Sequence, residues 1–168
     1  MIKTFDRALV CATAAHAQTG QRRKFTGEPY IVHPIDVAMI LSRFGITDED
    51  TLVAALLHDV VEDTDTTLDD VKKAFGARVA QLVDQVSNKP GEDFTDRLAR
   101  LGSADWQAQA IKCADITSNC LPLPDLSPAY AKSYFPRKAR EVAMLGRAPV
   151  GLVRMATDAT RLDRLVIS

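Results

Sequence analysis

The stretch Leu52–Val61, LVAALLHDVV, constrains this chain more than any other. Apolar residues recur at helical spacing almost throughout the sequence, and here they occupy the whole circumference of a helix. Such a helix has no face to offer to water, so other helices must enclose it. The remaining periodicity supplies them, with helices expected over about 3–17, 35–44, 49–61, 68–75, 77–87, 94–101, 105–120, 128–146 and 149–163. Thr47 and Thr67 stand three residues before Asp50 and Asp70, the spacing of a capping box, and mark two of the starts. Pro136 is expected to kink or interrupt its helix. No segment alternates with period 2 between turn signals, so no sheet is expected. The expected fold is all-α, a single compact multi-helix bundle of one domain over residues 1–168.

Into the last turn of that enclosed helix the sequence places His58 and Asp59. A second largely apolar helix, Ala108–Cys120, carries Asp115 at its middle. A carboxylate in such surroundings is costly unless it is paired or bound to a cation. His33, just before Pro34, can project inward from a helix start. Two imidazoles and two carboxylates suit one borderline divalent metal and leave room for water or phosphate oxygens. The alternative for each residue is plainer: His33 as a capping or hydrogen-bonding histidine, and Asp115 as the partner of Lys112 three residues earlier.

Glu62 and Asp63 follow one turn later, and in a continuous helix they face His58 and Asp59 at the i,i+4 spacing. There they can orient and deprotonate a water. The alternative is a solvated acidic helix end, although acids at a helix C-terminus oppose the macrodipole. Asn119 lies four residues after Asp115, on the same face. The consecutive cations Arg22, Arg23 and Lys24 precede His33 on a loop that Gly27 and Pro29 force to turn. A guanidinium there can stack on a base and pair with a phosphate.

The chain carries 21 Lys+Arg against 22 Asp+Glu, a net charge of −1. That balance excludes bulk capture of nucleic acid or an anionic membrane. Cys11, Cys113 and Cys120 form no CxxC pair and are expected as reduced thiols in a cytoplasmic protein. Met1–Ala17 has some features of a secretory leader, but Asp6 breaks its basic region, and it is read as an amphipathic helix. No apolar run approaches the length of a membrane span.

The runs AHAQTGQRRKFTGEPYIVHP, AALLHDVVEDTDTT, FGARVAQLVDQVS and IKCADITSN, in this order, resemble the hydrolase domain of the RelA/SpoT-type family. Within it they are most similar to the small alarmone hydrolases of the HD-domain metal-dependent phosphohydrolase superfamily. The resemblance spans about residues 3–120 and is much weaker over 122–168. It implies an HD-type bundle with one manganese ion held by His33, His58, Asp59 and Asp115. It further implies Glu62 and Asp63 at the nucleophilic water, Arg23 and Lys24 around the purine, and Asn119 on the nucleotide. The implied reaction removes the 3′-pyrophosphate of guanosine tetra- or pentaphosphate, in a protein that degrades alarmones and does not make them. The implied partner is a small nucleotide, with no nucleic acid or membrane, and the oligomeric state is left open. His16 matches a family histidine that is not a ligand and is read as structural.

Ile116, Thr117 and the run Cys120-Leu121-Pro122 depart from the family pattern where purine and ribose are expected. Adenosine alarmones of the (pp)pApp type and the 2′-phosphate of NADPH are therefore alternative substrates for the same site. A non-catalytic nucleotide-sensing module is the alternative of another class. Tyr130, Tyr134 and Arg137 or Arg140 in the tail can reach substrate, but each is expected in the core or on the surface.

Overall fold

Three helix starts in this chain are fixed by short polar side chains, as a computed structural model describing residues 3–165 shows. Thr67 and Asp70 close a reciprocal capping box at the start of one helix, with Thr67 Oγ1 accepting from the Asp70 amide at 3.2 Å. Asp48, not Thr47, caps the helix that starts at Glu49, accepting from the Thr51 amide at 3.0 Å. Asp93 does the same for the Asp96 amide at 2.8 Å. Such a cap contributes about 1 kcal/mol.

Among the described residues eleven α-helices follow in order: α1 Thr4–Gln18, α2 Val32–Arg43, α3 Glu49–Leu57, α4 Val60–Asp63, α5 Leu68–Phe75, α6 Ala77–Val86, α7 Phe94–Ser103, α8 Trp106–Cys120, α9 Leu123–Leu126, α10 Pro128–Val142 and α11 Val150–Ala159. A 3-10 turn, Leu162–Arg164, closes the described chain. Among the described residues there is no strand, only an isolated bridge between Arg22 and Pro29. The fold is an all-α bundle.

α3 lies at its centre, enclosed by α1, α2, α6 and α8. Val53 through Leu57 are fully buried, as the all-round apolar pattern requires. Each buried leucine contributes about 1.5–3 kcal/mol relative to exposure. α8 is the second axis, packed between α2, α6 and α11, with Ile111, Cys113 and Ile116 inaccessible. α10 and α11 contribute Phe135, Leu152 and Ala156 to the same core. No helix of the described residues is long and apolar enough to cross a membrane. All three cysteines are free.

Several helix boundaries, and the effect of one proline, differ from the sequence reading; the helix expected over 128–146 ends at Val142. α3 stops at Leu57, His58 and Asp59 form a turn, and α4 starts afresh at Val60, so the expected helix 49–61 is broken. α2 begins at Val32, which puts His33 and Pro34 inside its first turn, where a missing proline N–H costs nothing. Pro136 does not interrupt α10; buried Ala131 and Phe135 on its inner face hold the helix through the lost hydrogen bond. The last helix ends at Ala159 rather than 163.

Candidate metal centre

The turn at the end of α3 turns the His58 ring inward, and the first turn of α2 brings His33 to meet it. The two rings lie edge to face at 5.1 Å. His58 Nδ1 donates to the Ala55 carbonyl at 2.8 Å, which leaves the Nε2 lone pair facing the centre. His33 Nδ1 lies 3.0 Å from Ser118 Oγ on α8. Neither Nε2 atom, although buried, has a hydrogen-bond partner among the described residues.

Carboxylate oxygens converge on those nitrogens. Asp59 Oδ2 lies 3.1 Å from His58 Nε2 and 3.6 Å from His33 Nε2. Ligand atoms of His33, His58 and Asp59 all fall within 4.8 Å of one another. Asp115 reaches in from α8, its Oδ1 3.2 Å from His33 Nε2 and 3.9 Å from His58 Nε2. Two unpartnered imidazole nitrogens facing two carboxylates fit one divalent cation, which satisfies all four atoms together. The His33 and Asp115 alternatives are realised alongside this arrangement rather than instead of it. Asp115 Oδ2 accepts from Lys112 at 2.7 Å, and Oδ1 accepts from Asn119 Nδ2 at 2.6 Å.

Without a cation, protons do part of its work. Burial disfavours a charged His58, yet the adjacent Asp59 raises its pKa to about 9. Burial opposes ionisation of Asp59 as well, but His58 and then His33 hold that carboxyl below its ordinary range. Asp115 is likewise buried and is held well below it, chiefly by Lys112.

The helix is interrupted by the turn at 58–59, yet the Asp63 amide donates to the Asp59 carbonyl at 2.9 Å, so Asp63 still follows Asp59 by one turn. Glu62 and Asp63 are each held from outside. Exposed Glu62 accepts from the Asn88 amide at 2.9 Å and from the Asn88 side chain. Asp63 Oδ2 accepts from Gln21 Nε2 at 2.8 Å.

The basic loop is folded back on itself. Besides the bridge at Arg22 and Pro29, the Arg23 amide donates to the Glu28 carbonyl at 2.9 Å, and Gly27 turns the chain with φ +72°. Arg23 Nη1 donates to Asn119 Oδ1 at 2.8 Å, linking the loop to Asp115 through one amide. Lys24 Nζ sits 4.2 Å from the Tyr130 ring centroid. Arg22 instead bonds the Gly27 carbonyl. Arg23, Lys24, Asn119 and His33 line an open cavity of about 490 Å³.

Tyr130 and Tyr134 form its far wall, stacked at 5.1 Å, so they belong to the site and not simply to core or surface. Arg137 and Arg140 cover Phe94 instead, at 4.9 and 4.7 Å. Of the departures from the family pattern, Ile116 and Thr117 are fully buried and do not line the cavity; Pro122 does. Sequence reasoning missed the roles of Tyr30, whose hydroxyl donates to Asp59 Oδ2 at 2.6 Å, of Gln21 and of Ser118. The pairing of Lys112 with Asp115, read from their spacing on an apolar helix, is present.

Known proteins share the sequence pattern and the fold of this chain. A profile described as "HD domain" matches residues 8–118. The mouse guanosine-3′,5′-bis(diphosphate) 3′-pyrophosphohydrolase MESH1 is 60% identical over 77 residues, 45% of this chain and 43% of that protein. The protein of the same name from Danio rerio is 42% identical over 121 residues, 68% of this chain and 67% of that one. A solved structure of a metazoan ortholog of SpoT, described as hydrolysing ppGpp, superposes with a TM-score of 0.87 at 33% identity, covering 99% of this chain and 98% of that one. The chain spans 10% of the length of the Aquifex aeolicus guanosine-3′,5′-bis(diphosphate) 3′-pyrophosphohydrolase, 43% of the mouse protein and 67% of the Danio rerio one.

Proposed function

The chain belongs to the HD-domain family, and from that premise we propose that it is a metal-dependent hydrolase that removes the 3′-pyrophosphate of guanosine tetra- or pentaphosphate. The products are GDP or GTP and pyrophosphate, and the ion is manganese. The observation that carries this reading is the convergence of His33 Nε2, His58 Nε2, Asp59 Oδ2 and Asp115 Oδ1, next to a cavity that His33 lines together with Arg23 and Lys24. Those four residues would hold the ion. When bound, it supplies Lewis-acid activation of water and of phosphate oxygens.

The remaining work falls to the chain's own groups. Water adds to the phosphorus attached to the ribose O3′, the O3′–P bond breaks, and the proton released ends on O3′. Asp63 and Glu62, held by Gln21 and Asn88, take up the proton of the attacking water. Arg23 and Lys24 hold the nucleotide by stacking and charge, and their attachment to Asn119 and Tyr130 prearranges them. The tyrosine wall limits water beside the base. The free state of Cys11, Cys113 and Cys120 supports a cytoplasmic, reducing setting.

Pro122 on the cavity wall supports a second reading, in which the same centre acts on adenosine alarmones or on the 2′-phosphate of NADPH. Turnover of guanosine tetraphosphate, its adenosine counterpart and NADPH with manganese separates them. The first reading predicts the highest kcat/KM on the guanosine substrate, and an adenosine or NADPH preference above about tenfold, roughly 1.4 kcal/mol, replaces it with the second. Binding of all three without products favours a sensing module and contradicts both.

A further inference from the structure

His16 was expected to be structural, and its surroundings give that role a direction. It lies in the last turn of α1, 1% exposed, with Nε2 buried and unpartnered. A buried ring nitrogen without a partner is a stability cost that an apolar ring of similar size avoids. Packing alone therefore does not account for a histidine here.

Its other nitrogen does. Nδ1 lies 2.6 Å from Gln21 Oε1, and Gln21 Nε2 lies 2.8 Å from Asp63 Oδ2. The Asp63 carboxylate accepts and does not donate, so Gln21 must present its NH₂ to Asp63 and its oxygen to His16. His16 must then donate from Nδ1. The polarity of the whole chain, His16 to Gln21 to Asp63, is fixed from its acidic end.

A second contact leads to the other acid. The Tyr30 ring packs on His16 at 4.7 Å, and its hydroxyl donates to Asp59 Oδ2 at 2.6 Å. Gln21 and Tyr30 both flank the folded loop, Gln21 two residues before Arg23 and Tyr30 three residues before His33. One loop thus carries the cations that line the cavity and the two side chains that hold Asp63 and Asp59.

We infer that His16, Gln21 and Tyr30 form a positioning frame that fixes the Asp63 and Asp59 carboxylates and ties them to the nucleotide-facing loop. The inference rests on the hydrolase reading for its effect on rate, but the frame itself is testable without turnover. None of the three residues is a catalytic residue; each acts through an acid.

Nitrogen-15 NMR of the full chain reads the frame directly. His16 is expected as the Nδ1–H tautomer, and the Nε2–H tautomer overturns the frame whether or not the protein is active. Kinetics then read its consequence. Gln21→Met is expected to lower kcat by about tenfold or more, with KM and melting temperature nearly unchanged. His16→Phe keeps the ring against Tyr30, lowers kcat less, and adds no further loss in the Gln21→Met background. Unchanged kcat in Gln21→Met, a proportional rise in KM, or fully additive losses overturn the inference. If the unsubstituted protein turns over no nucleotide, the hydrolase reading falls on its own, and the tautomer still decides the frame.

Discussion

Lys112 Nζ donates to Asp115 Oδ2 at 2.7 Å, and both side chains are buried on α8, one turn apart. The cation occupies one carboxylate oxygen and leaves the other, Oδ1, turned toward His33 and His58. Lys112→Met removes the charge at similar volume and leaves Asp115 without its buried partner. Breaking such a pair costs about 3–5 kcal/mol. Urea unfolding of the metal-free protein checks that figure. Manganese affinity, read by titration calorimetry, is expected to fall about 10–100-fold; unchanged affinity contradicts the role given to Lys112.

Asp59 and His58 make metal binding depend on pH. His58 has its pKa raised from 6.5 to about 9 in the metal-free chain, with burial opposing the shift and Asp59 driving it. A raised histidine stabilises the folded chain fully below its unfolded pKa, and that contribution is lost as pH rises through about 9. A ligand nitrogen must be neutral, so the ion displaces this proton. Apparent manganese affinity should therefore climb between pH 6.5 and about 9, with proton release seen as a buffer-dependent heat. An affinity flat across that interval contradicts the assignment of His58 as a ligand.

How far the centre could be read from the sequence follows from the kind of interaction involved. The enclosing bundle was legible in Leu52–Val61, because an all-round apolar helix allows one environment. His33, His58, Asp59 and Asp115 were legible because polar residues on apolar helices need a common cause. The break at His58-Asp59 was not, since local helix propensity gives no hint that the chain turns there. Gln21 and Tyr30 were invisible for a related reason. They are loop residues whose partners lie 42 and 29 positions away, and no periodicity connects them. The tyrosine wall fell in the stretch where family resemblance fades.

Tyr130 provides a test of that wall. Its ring carries Lys24 at 4.2 Å and stacks on Tyr134 at 5.1 Å. Tyr130→Ala removes both contacts, together about 1–2 kcal/mol. KM for the nucleotide is expected to rise about 5–30-fold with kcat largely kept. A fall in kcat at constant KM instead places Tyr130 in the chemistry.

Leu56, fully buried in α3, tests the central helix. Leu56→Ala should lose about 2–5 kcal/mol in urea unfolding. A loss under about 1 kcal/mol contradicts a tightly enclosed α3.

Pyrophosphate release from guanosine tetraphosphate, followed while manganese is titrated into chelator-stripped protein, tests the central claim most directly. The expected result is release that rises with manganese, saturates at one ion per chain, and is absent in Asp59→Ala. No release at any manganese concentration, or equal release by Asp59→Ala, contradicts a hydrolase built on His33, His58, Asp59 and Asp115.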